Sequence, residues 1–341
     1  MSQLKEIVKS KIRNLIHVWG IFIKPLKDDE VQFRLMTTFK ISVIPFITMG
    51  VLAFYLGNVL KMNLIFFEAN GFSQLAELRG AYYDYITSTL FDIIPYIAGM
   101  FVLIVFLGLY LSDMILRPFR IIGDYCEKKA NNEEIEYDPE FFSDLKLLMG
   151  FTELFFNVMS SSLKVGKFLP VAVPNKFSKI HKPVFEQIFF IQFTFFLVIT
   201  SIGLALAIYA LTADVYDHMI KLSIETIKSN KSTLYFLKFQ ADLIQEVAYT
   251  VMAAHCMAYF ILAFHLYNKV ATPAFGIFAT MRAFMKGNHS SRVHLIGFNY
   301  VRPQSRKINN YLDQLQVFFL ESQHEKKKQV HSINKSMKNG S

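Results

Sequence analysis

The chain lacks nearly every residue pattern on which enzymes are built. Its 341 residues include two cysteines, Cys126 and Cys256, too few for a disulfide framework and without the paired spacing of a metal site. It has no glycine-rich phosphate loop, no His-Glu-x-x-His helix and no Gly-x-Ser-x-Gly elbow. No catalytic residue, cofactor or metal centre is therefore expected. Charge is missing as well from four long stretches, 41–60, 93–112, 187–213 and 247–268. A helix on the surface of a soluble protein carries a charged face, and these stretches have none.

What is present is apolar and aromatic, with 35 Phe and a mean hydropathy of +0.31. Roughly 20 helical residues cross a hydrocarbon core about 30 Å thick, so each uncharged stretch reads as a transmembrane helix. The expected fold is an all-α membrane protein whose four transmembrane helices form two hairpins, 39–112 and 187–268. The loops between them, 61–92 and 214–246, fall short of the roughly 50 residues that a small folded domain needs. Each pair of helices is therefore expected to continue outward and turn back, at Asn70-Gly71 in the first loop and near Ser229-Asn230-Lys231-Ser232 in the second.

The basic residues set the orientation. Thirty of the 36 Lys and Arg lie in the segment before the first stretch, between the second and third, or after the fourth. Cationic loops are retained on the cytoplasmic side, so both termini and the middle segment are expected there, in an inner or plasma membrane. The net charge of +9 is then a topology signal and no argument for nucleic acid. Residues 1–38 read as an amphipathic approach to the bilayer, because the apolar stretch 15–23 is too short and lacks a cleavage site for a secretory signal. The Pro-interrupted, basic linker 166–186 reads as its counterpart in the second half.

Both halves continue past their hairpins in the same way. After the second stretch come Leu116-Arg117-Pro118 and then Phe119, Ile122, Tyr125 and Cys126, followed by a polar connector. A second helix then presents Leu145, Leu148, Thr152, Phe155 and Met159 at alternating steps of three and four. After the fourth stretch come Pro273, Ile277, Met281 and Phe284, then Gly287-Asn288, a connector offering Val293, Leu295 and Ile296, and a helix from Pro303 carrying Ile308, Leu312, Leu315 and Phe319. Pro273 follows Pro118 by 155 residues, and an internal pseudo-two-fold repeat is expected.

Segments 113–165 and 269–321 resemble the HAMP domain, the helix, connector, helix relay module that lies inside the membrane in bacterial chemoreceptors and sensor kinases. The first carries Pro118 and Ile122, with Gly150 followed by Phe156-Asn157-Val158-Met159. It departs from the pattern at Asn132, where the family has Gly, and at Leu147-Leu148, where the family has an acidic pair. The second carries Pro273, Ile277 and Gly287, with Leu312 and Leu315 as a fainter ending. A plain helical hairpin fits the spacing alone equally well.

The resemblance implies a parallel four-helix bundle, which two such units in one chain can build as an intrachain pseudo-dimer. A homodimer of whole chains is the competing arrangement. It also implies a signal-transduction relay that passes helix displacement to a separate protein partner, since the polar, basic tail 322–341 reads as disordered and holds no output domain. A structural subunit of a larger membrane complex is the alternative. His255 and His265 are the only His, Asp, Glu, Lys or Arg residues within the four stretches. Ten residues apart on one helix they cannot share an ion, and a hydrogen bond inside the bundle is expected for His255 and an interfacial place for His265. Ser201, Gly50, Gly108 and Gly203 are expected at close-packing positions.

Overall fold

A computed structural model describes residues 28–72, 74–133, 135, 137, 145–178, 186–227 and 231–338. The N-terminal approach 1–27, most of the first connector, the linker residues 179–185 and the second loop turn at 228–230 lie outside the described residues. Those described form helices and no strand. In chain order the helices are α1 (Asp29–Ala69), α2 (Leu75–Ala130), α3 (Lys146–Val165), α4 (Asn175–Ser178), α5 (Gln187–Ile227), α6 (Lys231–Met285) and α7 (Arg302–Lys338), with a 3-10 turn at Asn299–Val301. Four of them, α1, α2, α5 and α6, are long and apolar enough to cross a membrane, as in a multi-pass membrane protein.

Left-handed residues end the helices where the sequence supplies Gly or Asn. Gly71 has φ 72°, Asn132 60°, Gly166 64° and Gly287 95°. Each sits in the same double bond: Asn132 N–H donates to Lys129 C=O and Glu133 N–H to Lys128 C=O, just as Gly287 N–H donates to Phe284 C=O and Asn288 N–H to Ala283 C=O. This is the Schellman arrangement, which satisfies carbonyls that the last helical turn leaves free. Asn132 takes the place of Gly because its short polar side chain tolerates the left-handed region. By contrast α7 meets no stop signal before Gly340, and the segment 322–341, expected as a disordered tail, is helical as far as Lys338.

The described residues group into two compact units. One is drawn from Met36–Tyr110 and Gln192–His265, the other from Met1–Leu35, Leu111–Ile191 and Leu266–Ser341.

In the first of these, the apolar unit, α1 carries Pro45. A proline has no N–H, so the Ile41 carbonyl four residues back loses its helical partner. The Tyr259 hydroxyl, fully buried, donates to that carbonyl at 2.8 Å. Gly108 lies against the backbone of Thr38, where an added Cβ would come within 2.7 Å of Thr38 Cα, as its expected close packing requires. Gly50 and Gly203 do not: a Cβ on either would meet nothing within 4 Å. Those two glycines mark open space. Ser201 is fully buried.

Candidate functional site

The second unit contains the segments that the sequence marks as relay modules. Its core is aromatic and draws on both halves of the chain. Phe151 of α3 meets Phe278 of α6 with ring centroids 4.3 Å apart. Phe155 meets Phe284 at 6.2 Å, and Phe156 lies between Tyr125 of α2 at 4.3 Å and Tyr311 of α7 at 6.0 Å. Ile122, Leu148, Met159, Ile277, Leu312 and Leu315 are buried with them. These are the positions at alternating steps of three and four, and burying that stripe is what holds amphipathic helices together. Pro118 and Pro273 are buried, Asn157 and Gly287 are exposed, and Gly150 is half-buried.

Pro273 frees a carbonyl in the same way as Pro45, here that of Lys269. The Tyr300 hydroxyl donates to it at 2.6 Å, and the Tyr300 ring stacks on Phe33 at 4.1 Å. The connector of the second half is described in full. Val293 is held by Asn309 of α7, whose Oδ1 accepts its N–H at 2.8 Å and whose Nδ2 donates to its carbonyl at 3.1 Å. Leu295 lies against Gly276. Ile296, the third apolar connector residue, is 93% exposed. Arg292 pairs with Asp313 at 2.6 Å and donates to the carbonyls of His289 and Ser291.

Charged side chains border the core. Lys307 of α7 lies 2.7 Å from both Asp124 and Glu127 of α2. Arg34 reaches Asp113 at 3.1 Å, and Arg120 pairs with the same carboxylate. Gly123 is needed where α2 approaches α7, since a Cβ there would come within 3.2 Å of Gln304 Cα.

The start of α3 is organised by a residue that sequence reasoning missed. Its N-cap position is Leu145, which has no side chain to satisfy the first free N–H groups. Glu186 does this from 38 residues away, its Oε1 accepting the Leu148 N–H at 2.8 Å. The Glu186 main-chain carbonyl meanwhile accepts the Phe190 N–H at 2.9 Å and so begins α5. Glu186 is 6% exposed. Burial pushes its carboxyl up to about 7, against the opposing pull of the Leu148 and Leu147 N–H groups and of the Lys176 charge. The available signal was its position, a lone acidic residue directly before an uncharged stretch.

Both histidines of the fourth uncharged stretch belong to the apolar unit. His255 is 2% exposed, with Nδ1 2.7 Å from the Thr48 hydroxyl, the bundle-facing hydrogen bond that its position implies. His265 is exposed, and Lys40 Nζ donates to its Nε2 at 3.2 Å. No group of three His, Cys, Asp or Glu side chains suited to a metal ion occurs among the described residues. The apolar unit also holds two cavities, both touching Leu211: one of about 370 Å³ lined by residues of α1, α2 and α5, and one of about 620 Å³ lined by residues of α2 and α5. In α2 only 12% of the most apolar window is buried, against 28% in α1, α5 and α6.

The geometry of the described site is that of packed, capped helices. No family model, no curated protein and no solved structure matches the chain. Fold and site together define a helical, multi-pass membrane-type protein with an aromatic helix bundle.

Proposed function

We propose that the chain is a membrane signal relay, a tandem duplication of one unit in which displacement of transmembrane helices is passed into a four-helix, HAMP-like bundle and read there by a separate protein partner. The observation that carries this reading is the interleaved core, in which Phe151 on Phe278 and Phe156 on Tyr311 join helices from opposite halves of one chain. That is the packing a single-chain pseudo-dimer requires, and a covalently tethered copy is present at an effective concentration of about millimolar. The repeat has further support in the matching ends of α2 and α6, where Asn132 and Gly287 stand 155 residues apart with the same backbone bonds. The Lys and Arg bias argues for a cytoplasmic bundle and cytoplasmic termini.

Two crosslinks test it. With Cys126 and Cys256 replaced, cysteines at Phe151 and Phe278 are expected to give an intrachain disulfide in native membranes; an interchain product would replace the pseudo-dimer by a homodimer. Cysteines at Phe66 and Phe236, whose rings stack at 3.7 Å, then lock α1 to α6 in the apolar unit. The lock is expected to change amide exchange in α3, and identical exchange with and without it would sink the relay.

The alternative, a structural subunit of a larger membrane complex, draws support from the exposed apolar window of α2 and the open cavities beside it. Co-purification of a stoichiometric membrane partner that protects α2 from lipid-phase labelling would favour it.

A further inference from the structure

Glu186 occupies a place that no other carboxylate among the described residues shares. Its main chain starts one helix and its side chain starts another: the carbonyl accepts from Phe190 in α5 at 2.9 Å and the carboxylate from Leu148 in α3 at 2.8 Å. A carboxylate across a helix N-terminus makes charge-assisted hydrogen bonds and meets the positive end of the helix dipole. Both effects weaken when it takes up a proton. We propose that Glu186 is a proton-sensitive joint between α5 and α3, clamping the first amides of α3 when ionised and loosening them when protonated. This rests on the relay reading for its purpose, because the joint lies where a helix read as membrane-spanning begins.

The surroundings favour a change of charge near neutral pH. The side chain is 6% exposed, and burial holds the proton on it up to about pH 7. Among the described residues, the charge acting on it is that of Lys176, from α4. The first turn of α3 brings Lys146, which is exposed, and α5 brings no charged residue before Asp214. Burial makes the ionised form costly, and the Leu147 and Leu148 N–H groups with Lys176 keep it accessible.

The full chain in lipid nanodiscs is the material for the test. Infrared difference spectra between pH 5 and 9 are expected to show a buried carboxylic C=O band that titrates near neutrality and is missing in Glu186→Gln. Exchange of the Leu147 and Leu148 amides, corrected for the intrinsic pH dependence and compared with the middle of α3, is expected to be roughly tenfold faster at pH 5.5 than at pH 8. In Glu186→Gln the two rates should coincide. Lys176→Gln, on an exposed side chain, should leave the fold alone and move the titration to higher pH. Absence of the band, or amide protection that ignores pH in the natural protein, would overturn the joint. The crosslink between Phe66 and Phe236 reads the relay separately, so either result can fail without the other.

Discussion

The two carboxylates that stand at the entrances to the long apolar helices, Glu30 in α1 and Glu186 before α5, have opposite neighbours. Glu30 follows Asp28, which already caps α1 by accepting the Glu30 N–H at 2.9 Å. Its own carboxylate meets charge and amide, with Arg120 at 3.9 Å and Gln304 Nε2 at 3.4 Å. Glu186 caps α3, and among the described residues Lys176 is the cation that acts on it. At equivalent places in the proposed repeat, one carboxylate lies against a guanidinium and an amide, and the other is buried against the first amides of a helix, where burial raises its pKa to about 7. The lesson is that a carboxylate's neighbours, more than its place in the chain, set what it can do.

The sharpest way to break the comparison is to remove what both halves depend on. Phe151→Ala empties a fully buried aromatic site against Phe278 and is expected to cost about 3–5 kcal/mol, read from thermal unfolding in detergent. Phe278→Ala should cost a similar amount, and the double variant less than the sum, because the two rings share one contact.

Next comes pH. The folded chain holds the Glu186 proton more tightly than the unfolded chain does. The resulting stability is therefore fully present below the ordinary value of 4.5 and is lost as pH rises through about 7. Relative to Glu186→Gln, the natural protein is expected to lose stability on the order of 3 kcal/mol across that window. A slope that persisted unchanged in Glu186→Gln would assign the pH dependence to another group.

Smaller effects follow from the prolines. Tyr300→Phe leaves the Lys269 carbonyl without the hydroxyl that replaces the missing Pro273 N–H, at an expected cost of about 1–2 kcal/mol. Pro273→Ala restores the helical donor and should make Tyr300→Phe nearly neutral. The smallest effect is at the helix ends: Asn132→Gly is expected to stabilise, and Gly287→Asn to destabilise, by about 0.5–1 kcal/mol each. Melting curves that moved the same way for both would show that the two ends are not equivalent.

Much of the fold was legible. An uncharged stretch of some 20 residues has few alternatives to a membrane helix, since its backbone must satisfy its own hydrogen bonds in lipid. The turns at Asn70-Gly71 and Gly287 were legible because few residues accept a positive φ; Asn132, read as a departure from the family's Gly, makes the same left-handed stop. The burial of Ile122, Leu148, Ile277 and Leu312 followed from spacing. Less legible were Gly50 and Gly203, which look like packing glycines but face open space, because a small residue allows close approach without causing it. The helical course of 322–338 was also missed, since a charged segment without Gly or Pro satisfies helix propensity as well as it satisfies disorder.

By itself the sequence determined the four long apolar helices, the Gly-marked stops after α1 and α6 and the apolar stripe of α3, because those properties depend on neighbours a few residues away. The tertiary structure alone decided which hydroxyl rescues which proline-freed carbonyl, Tyr259 for Ile41 and Tyr300 for Lys269, and which carboxylate caps α3. Those partners lie tens to hundreds of residues apart, and they meet because a buried polar group left unpaired costs about 1–3 kcal/mol. That penalty selects an arrangement in which each finds its complement, and no local pattern encodes the choice.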